Sequence, residues 1–205
     1  KIIYLIEFIL IKILFFIFKL IGYKFSSNLG FLIGIIFGPL FKSKKLIIDN
    51  LEKANIQKQQ NLKKIASNVL GNYGRIFAEY VHLEDFRNDK LKKYISIEGL
   101  EHLNYLKKSK KKAIFVSGHF NNFELMAMQI EKAGIELATI YRPLNNSFLN
   151  KTMEKIRTEN ICKNQIKKGR AGSREIIKNV KNGKSIAIMI DQRVREGEKV
   201  NFFKH

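Results

Sequence analysis

The chain has 205 residues, enough for one large domain or two small ones. With 45% hydrophobic and 27% charged residues it is neither disordered nor a polytopic membrane protein, and its single cysteine, Cys162, excludes an intramolecular disulfide framework and a multi-Cys zinc site. A net charge of +20 implies acidic partners: nucleic acid, anionic lipid, or an acidic protein or substrate.

In chain order, Ile2 to Ile21 comes first, with 17 apolar residues in 20; the exceptions are Glu7, Lys12 and Lys19. About 20 apolar residues suffice for a membrane span. Three charges do not suit a clean span, so the run fits either a helix lying in the interface or a tilted anchor with snorkelling lysines. A cleaved signal peptide is disfavoured, because the run is too long and no small-x-small site follows. Leu29 to Phe41 is a second apolar run, in which Gly30, Gly34 and Gly38 line one helix face. That face admits close approach of another helix, the first run among them, or of the bilayer. Two such helices in succession have little soluble chain to cover them, which points to a membrane anchor over residues 1–43 rather than a buried hairpin. Lys42, Lys44 and Lys45 then suit lipid phosphates on the cytoplasmic side.

Residues 44–205 read as one α/β domain. Lys44 to about Tyr80 predicts two helices with a break at Gln57 to Asn61, and Leu83 to Lys93 reads as charged and irregular. From Tyr94 onward strand and helix signals alternate. Strands are expected at Ala113–Ser117, Glu136–Tyr141, weakly at Ile161–Ile166, and at Ser185–Ile190. Helices are expected at Asn122–Ala133, Ser147–Thr158 and Ser173–Lys181, the last capped by Ser173. The order βαβαβαβ predicts a mainly parallel central sheet flanked by helices, preceded by the apolar anchor.

Ligands of open α/β sheets bind beyond the carboxyl ends of the strands. Three strands here end in chemically loaded residues: Ser117-Gly118-His119-Phe120-Asn121-Asn122-Phe123-Glu124, then Tyr141-Arg142-Pro143, then Asp191-Gln192-Arg193. A base, a carboxylate and cations would converge on one rim. His119 on the loop and Glu124 in the next helical turn could meet, the carboxylate fixing the imidazole tautomer while the other nitrogen takes a proton from a hydroxyl. Alternatively Asn121-x-x-Glu124 is a capping box. The spacing is not the zinc pattern H-E-x-x-H.

These residues resemble the bacterial lipid A biosynthesis acyltransferases, the late lauroyl and myristoyl transferases of the glycerolipid acyltransferase superfamily. The H-x4-E box is shared across the superfamily, and Tyr141-Arg142-Pro143 with Asp191-Gln192 narrows it to this branch. The likeness extends to the apolar N-terminus, Asp49-Asn50-Leu51, and Ile97 to His102. It implies a catalytic His119–Glu124 pair and substrate-binding roles for Arg157 and Asp191, which would otherwise read as a solvated helix arginine and a turn residue. Arg142 is a candidate for holding phosphate, and Arg170 in Lys167-Lys168-Gly169-Arg170 a weaker one. The family continues beyond the point where this chain stops, so the α/β domain reads as C-terminally incomplete.

The resulting expectation is a membrane-bound O-acyltransferase at the bacterial inner membrane, facing the cytoplasm. His119 would activate a hydroxyl of a lipid A precursor for attack on an acyl carrier protein thioester, with no metal or other cofactor required. Ser117 lacks a G-x-S-x-G context and Cys162 lacks a placed base, which favours direct transfer over an acyl-enzyme. The rivals are a phospholipid or glycolipid acyltransferase using acyl-CoA, and a non-catalytic basic membrane-binding protein. Nucleic-acid binding lacks a fold motif or an aromatic–basic platform. Only 8 of the 38 basic residues are Arg, and a Lys-, Ile- and Asn-rich composition follows from AT-rich coding.

Overall fold

A computed structural model describes residues 1–54 and 61–192. The predicted break at Gln57 to Asn61 lies, but for Asn61, outside these residues, as does Arg193. The apolar N-terminal run forms α1 (Ile2–Ile21), which ends at Gly22. That glycine takes φ +77°, a left-handed conformation that costs a residue without Cβ little, and the chain turns there into α2 (Tyr23–Phe41). Two capped helices follow. In α3 (Lys44–Lys53) the Ser43 hydroxyl accepts from the Leu46 N–H, and in α4 (Leu62–Glu79) the Asn61 side chain accepts from the Lys64 N–H.

The glycine face of α2 does not meet α1. It packs on α4, glycine against glycine. A Cβ added to Gly74 would stand 2.1 Å from the Gly30 carbonyl oxygen, and one on Gly34 would stand 2.4 Å from that of Leu70. The two backbones touch because neither carries side chains at the crossing. Meanwhile α1 inserts Phe15 and Phe18 into the main core, where both rings pack on Phe77. The outer faces of α1 and α2, among them Ile13, Phe16, Leu32, Ile36 and Leu40, stay exposed.

Leu83–Lys93, expected to be irregular, contains a short helix α5 (Leu83–Arg87) whose Leu83 and Phe86 are fully buried. Burial of these two side chains orders a segment whose charges alone gave no period. After α6 (Leu100–Ser109) the α/β part alternates as expected: β1 (Ile114–Ser117), α7 (Glu124–Lys132), β2 (Leu137–Tyr141), α8 (Ser147–Asn160), β3 (Asn164–Lys167), α9 (Arg170–Lys181) and β4 (Ser185–Met189). The four strands form one parallel sheet in the order β1-β4-β2-β3. Alternate residues serve its two faces. Leu137 and Ala187 join the core under α7 and α8, whereas Ala138, Ile166 and Ile186 pack with Ile176 of α9 on the other side.

Helix α2 starts at Tyr23, ahead of the apolar run from Leu29, and in the α/β part the starts of β3 and α9 differ most from expectation. The third strand starts at Asn164, because the Ile161 and Cys162 amides still bond to the Arg157 carbonyl and finish α8. Helix α9 starts at Arg170, and Ser173 is no cap: its own N–H is bonded to the Gly169 carbonyl, inside the first turn. Gly172 permits this early start, since a Cβ there would stand 2.1 Å from the Lys167 carbonyl oxygen.

Candidate active site

All four strands run the same way, so their carboxyl ends share one rim. Because β1 pairs with β4, the residues just beyond Ser117 and Met189 are neighbours. The Asp191 carboxylate therefore lies on the His119 loop and holds it twice. It accepts from the His119 backbone N–H at 2.7 Å and meets the ring Nδ1 at 2.7 Å. A carboxylate only accepts, so Nδ1 carries a proton, and in the neutral imidazole Nε2 is the nitrogen with the free lone pair. Burial alone would raise the Asp191 carboxyl, but the hydrogen bonds and charge of His119 outweigh it and hold the group below the usual carboxylate range. The side-chain nitrogen of Gln192 lies 3.3 Å from Nε2, and the Phe123 ring packs edge-on at 4.6 Å. Gly118 keeps the loop close to the carboxylate: a Cβ there would stand 3.2 Å from Asp191 Oδ2.

Glu124 has different partners. It accepts from the buried Tyr80 hydroxyl and from Arg157 Nε at 3.1 Å, while Arg157 Nη2 donates to the Tyr80 oxygen at 2.8 Å. Among the described residues, its hydrogen bonds go to these two and none goes to His119. Nor does a capping box form. Asn121 takes φ +42° and its side-chain oxygen accepts from Asn72 of α4, while α7 begins only at Glu124 itself. Arg157 is no solvated helix arginine: its side chain is only 16% exposed and lies over the Tyr80 and Tyr141 rings. Burial would lower its pKa, but Tyr80 and Glu124 reverse that and raise it. Burial first, then the Glu124 charge, push the Tyr80 hydroxyl well above the usual phenol range, so it stays a donor.

A cleft of about 820 Å³ opens along the rim and brings together His119, Glu124, Arg142 and Arg157 with Lys167 and Lys168 of the β3–α9 turn. Arg170 is not among its lining residues, and Asp191 reaches it only through His119. A smaller cleft of about 300 Å³ lies on the other side of the same loop, between α4 (Val69, Asn72, Tyr73, Ile76) and His119, Phe120 and Asn121. Among the described residues, His119 alone lines both.

The loop is braced from below. Asn122 donates to buried Glu79 at 2.9 Å, and Glu79 also accepts from Ser27 of α2 at 2.7 Å. Glu79 and Tyr80, adjacent at the end of α4, thus grip the loop and the Glu124–Arg157 pair. Sequence reasoning missed both, because a tyrosine or glutamate on the inner face of a helix end carries no pattern distinguishing it from ordinary packing.

A second serine–histidine–aspartate group, Ser26, His82 and Asp85, resembles a nucleophilic triad on distance alone, with Ser26 Oγ 2.9 Å from His82 Nε2. Ser26 and His82 are 0% and 3% exposed, so no substrate reaches them and the group ties α2 to the turn after α4. Among the described residues, no cluster of three or more His, Cys, Asp or Glu side chains could hold a metal ion.

The family model described as bacterial lipid A biosynthesis acyltransferase matches residues 1–205. No curated protein matches the chain.

Proposed function

The chain belongs to the bacterial lipid A biosynthesis acyltransferase family and is an acyltransferase by that membership, and from this premise we propose that it transfers a fatty acyl chain from an acyl carrier protein thioester to a hydroxyl of a lipid A precursor, with His119 as general base. The observation that carries the reading is the doubly held His119–Asp191 pair at the mouth of a cationic cleft.

His119 Nε2 takes the proton of the acceptor hydroxyl as its oxygen attacks the thioester carbonyl carbon. Asp191 fixes the tautomer through Nδ1 and balances the imidazolium that forms, the service sequence reasoning gave to Glu124. The tetrahedral oxyanion collapses, the carbon–sulfur bond breaks, and the imidazolium returns its proton to the leaving thiolate. Arg157, held by Glu124 and Tyr80, supplies fixed positive charge in the same cleft. Arg142, Lys167 and Lys168 suit an anionic glycolipid.

The substrate is a lipid, so the rim works at a bilayer. We place the protein at the inner membrane with the rim towards the cytoplasm, where an acyl carrier protein can reach it. Helix α2 is long and apolar enough to cross a membrane. Two of the three charges in α1 have partners in the protein: Glu7 accepts from Asn146 at 3.0 Å and Lys19 pairs with Asp85 at 2.6 Å. The outward face of α1 is left largely apolar. The experiment is to incubate the membrane-embedded protein with a lipid A precursor and acyl carrier proteins charged with several chain lengths, then weigh the products. An added acyl chain supports the reading. Equal or better transfer from acyl-CoA removes the carrier protein from it.

A further inference from the structure

We propose that the outward face of α9 is the surface on which the acidic acyl carrier protein docks. This rests on the acyl-transfer reading and adds to it where the donor's protein part sits. At 100° per residue, Arg170, Arg174, Lys178 and Lys181 fall within an arc of about 80°, with Ile177 beside it. Gly172 and Ile176 lie on the opposite side, turned to the sheet. Glu175, the acidic residue of α9, falls outside the arc. The four cations are exposed, and among the described residues none is ion-paired. Ile177 is 57% exposed in their midst. An apolar centre ringed by cations is the anatomy of a protein interface, and a bare phosphate would have no use for the isoleucine. The two arginines add to this. Only 8 of the 38 basic residues are Arg. Of the described ones, Arg87 and Arg157 are ion-paired, Arg75 lies over the Phe31 ring, and Arg142 lines the large cleft. Arg170 and Arg174 have no such occupation, and their forked guanidinium groups suit carboxylates arriving from outside.

Location separates this face from the other basic surfaces. Helix α9 begins at the carboxyl rim, and Gly169, Gly172 and Ser173 line the large cleft. The face therefore lies just over the helix from the reaction, and from Arg170 to Lys181 it extends about 16 Å. A thioester on the carrier's flexible arm can cross the start of α9 into the cleft. The run from Lys107 to Lys112 has no such access, because it leads into β1 at the amino end of the sheet. The sheet also separates α9 from the membrane helices. Phe15 and Phe18 of α1 join the core under α7 and α8, whereas Ile176 of α9 packs on the other face. A soluble donor protein thus approaches from a side that a bilayer against α1 and α2 leaves open.

The test compares two donors with the full chain in membranes: dodecanoyl acyl carrier protein, and dodecanoyl pantetheine, which bears the same thioester without the protein. The double variant Arg174→Glu, Lys178→Glu is expected to raise KM for the carrier-borne donor by roughly tenfold or more while kcat stays unchanged. Transfer from the pantetheine thioester is expected to be unaffected. Added salt should raise the wild-type KM for the carrier-borne donor and change that of the variant little. A carrier protein with a photocrosslinker beside its pantetheine-bearing serine is expected to crosslink to the Arg170–Lys181 segment. An unchanged KM in the folded variant, an equal loss with both donors, or crosslinking to the Lys107–Lys112 segment instead overturns the assignment. Release of the variant from membranes would make the face a lipid contact and overturns it too. Crosslinking to α9 without transfer from either donor would strike the acyl-transfer reading and leave the docking surface standing; transfer from both donors with a KM indifferent to the variant would do the opposite.

Discussion

Asp191 and His119 stand 72 residues apart in the chain, yet one carboxylate holds both the backbone N–H and the ring nitrogen of the histidine at 2.7 Å. The adjacency of β1 and β4 puts them together. Asp191→Asn keeps the side chain's shape but presents an amide with one acceptor, so the imidazole loses its fixed tautomer. Turnover is expected to fall by on the order of 10²-fold, with a folded protein by circular dichroism. The pH sign follows from the lowered Asp191 pKa. Its contribution is complete above the usual aspartate range and is lost as pH falls through the depressed folded value. Acid melts should therefore show the wild type losing more stability than Asp191→Asn at low pH. Equal turnover in the variant would remove Asp191 from the mechanism.

Tyr80 and Glu124 are expected to act through Arg157. Tyr80→Phe deletes one hydroxyl that bridges the other two groups, and Glu124→Gln deletes the charge. Each should lower turnover by about 10-fold or more, and the double variant by much less than the product, because the three side chains act as a unit. The raised Tyr80 pKa gives its own sign. Stability is intact below the usual tyrosine value near 10 and declines as pH rises above it. Thermal melts above pH 10 should show that decline in the wild type and less of it in Tyr80→Phe. Strict additivity in turnover would separate the groups.

The rim was legible because strand ends can be located from short apolar runs and their following turns. His119, Arg142 and Asp191 all fall there, and the parallel sheet with its flanking helices was equally readable from the alternation of elements. Which carboxylate meets His119 was not readable. It depends on β4 lying beside β1, and no local signal encodes strand order. Glu124, five residues from the histidine, looked the nearer partner until α4 and α8 brought Tyr80 and Arg157 to it. The glycines of α2 announced a close contact but not its partner, since Gly71 and Gly74 of α4 sit in a helix whose pattern reads as merely amphipathic.

Gly74→Ala tests that contact. The new methyl would stand 2.1 Å from the Gly30 carbonyl oxygen and 2.7 Å from the Gly34 Cα, both backbone atoms that cannot rotate away. A loss of about 1–3 kcal/mol is expected, read as a lower melting temperature in detergent. Gly22→Ala is a control of a different kind, with open space around it and strain only from its φ of +77°. No change for Gly74→Ala would contradict the helix crossing.

Attachment to membranes is expected to be chiefly apolar. Each large side chain buried from the exposed faces of α1 and α2 contributes roughly 1.5–3 kcal/mol, against about 1 kcal/mol for each lysine near an anionic surface. High-salt washing should leave the protein in the membrane fraction, and detergent should release it. Quantitative release by salt alone would show a peripheral protein held by charge.

The most direct measurement compares wild type with His119→Ala in the same membranes, given a lipid A precursor and dodecanoyl and tetradecanoyl acyl carrier proteins, by mass spectrometry of the lipid product. The wild type is expected to add one acyl chain to the precursor. His119→Ala, shown to be folded by an unchanged melting temperature, is expected to lose on the order of 10²-fold or more of that rate. Undiminished acylation by the folded variant would contradict His119 as the base.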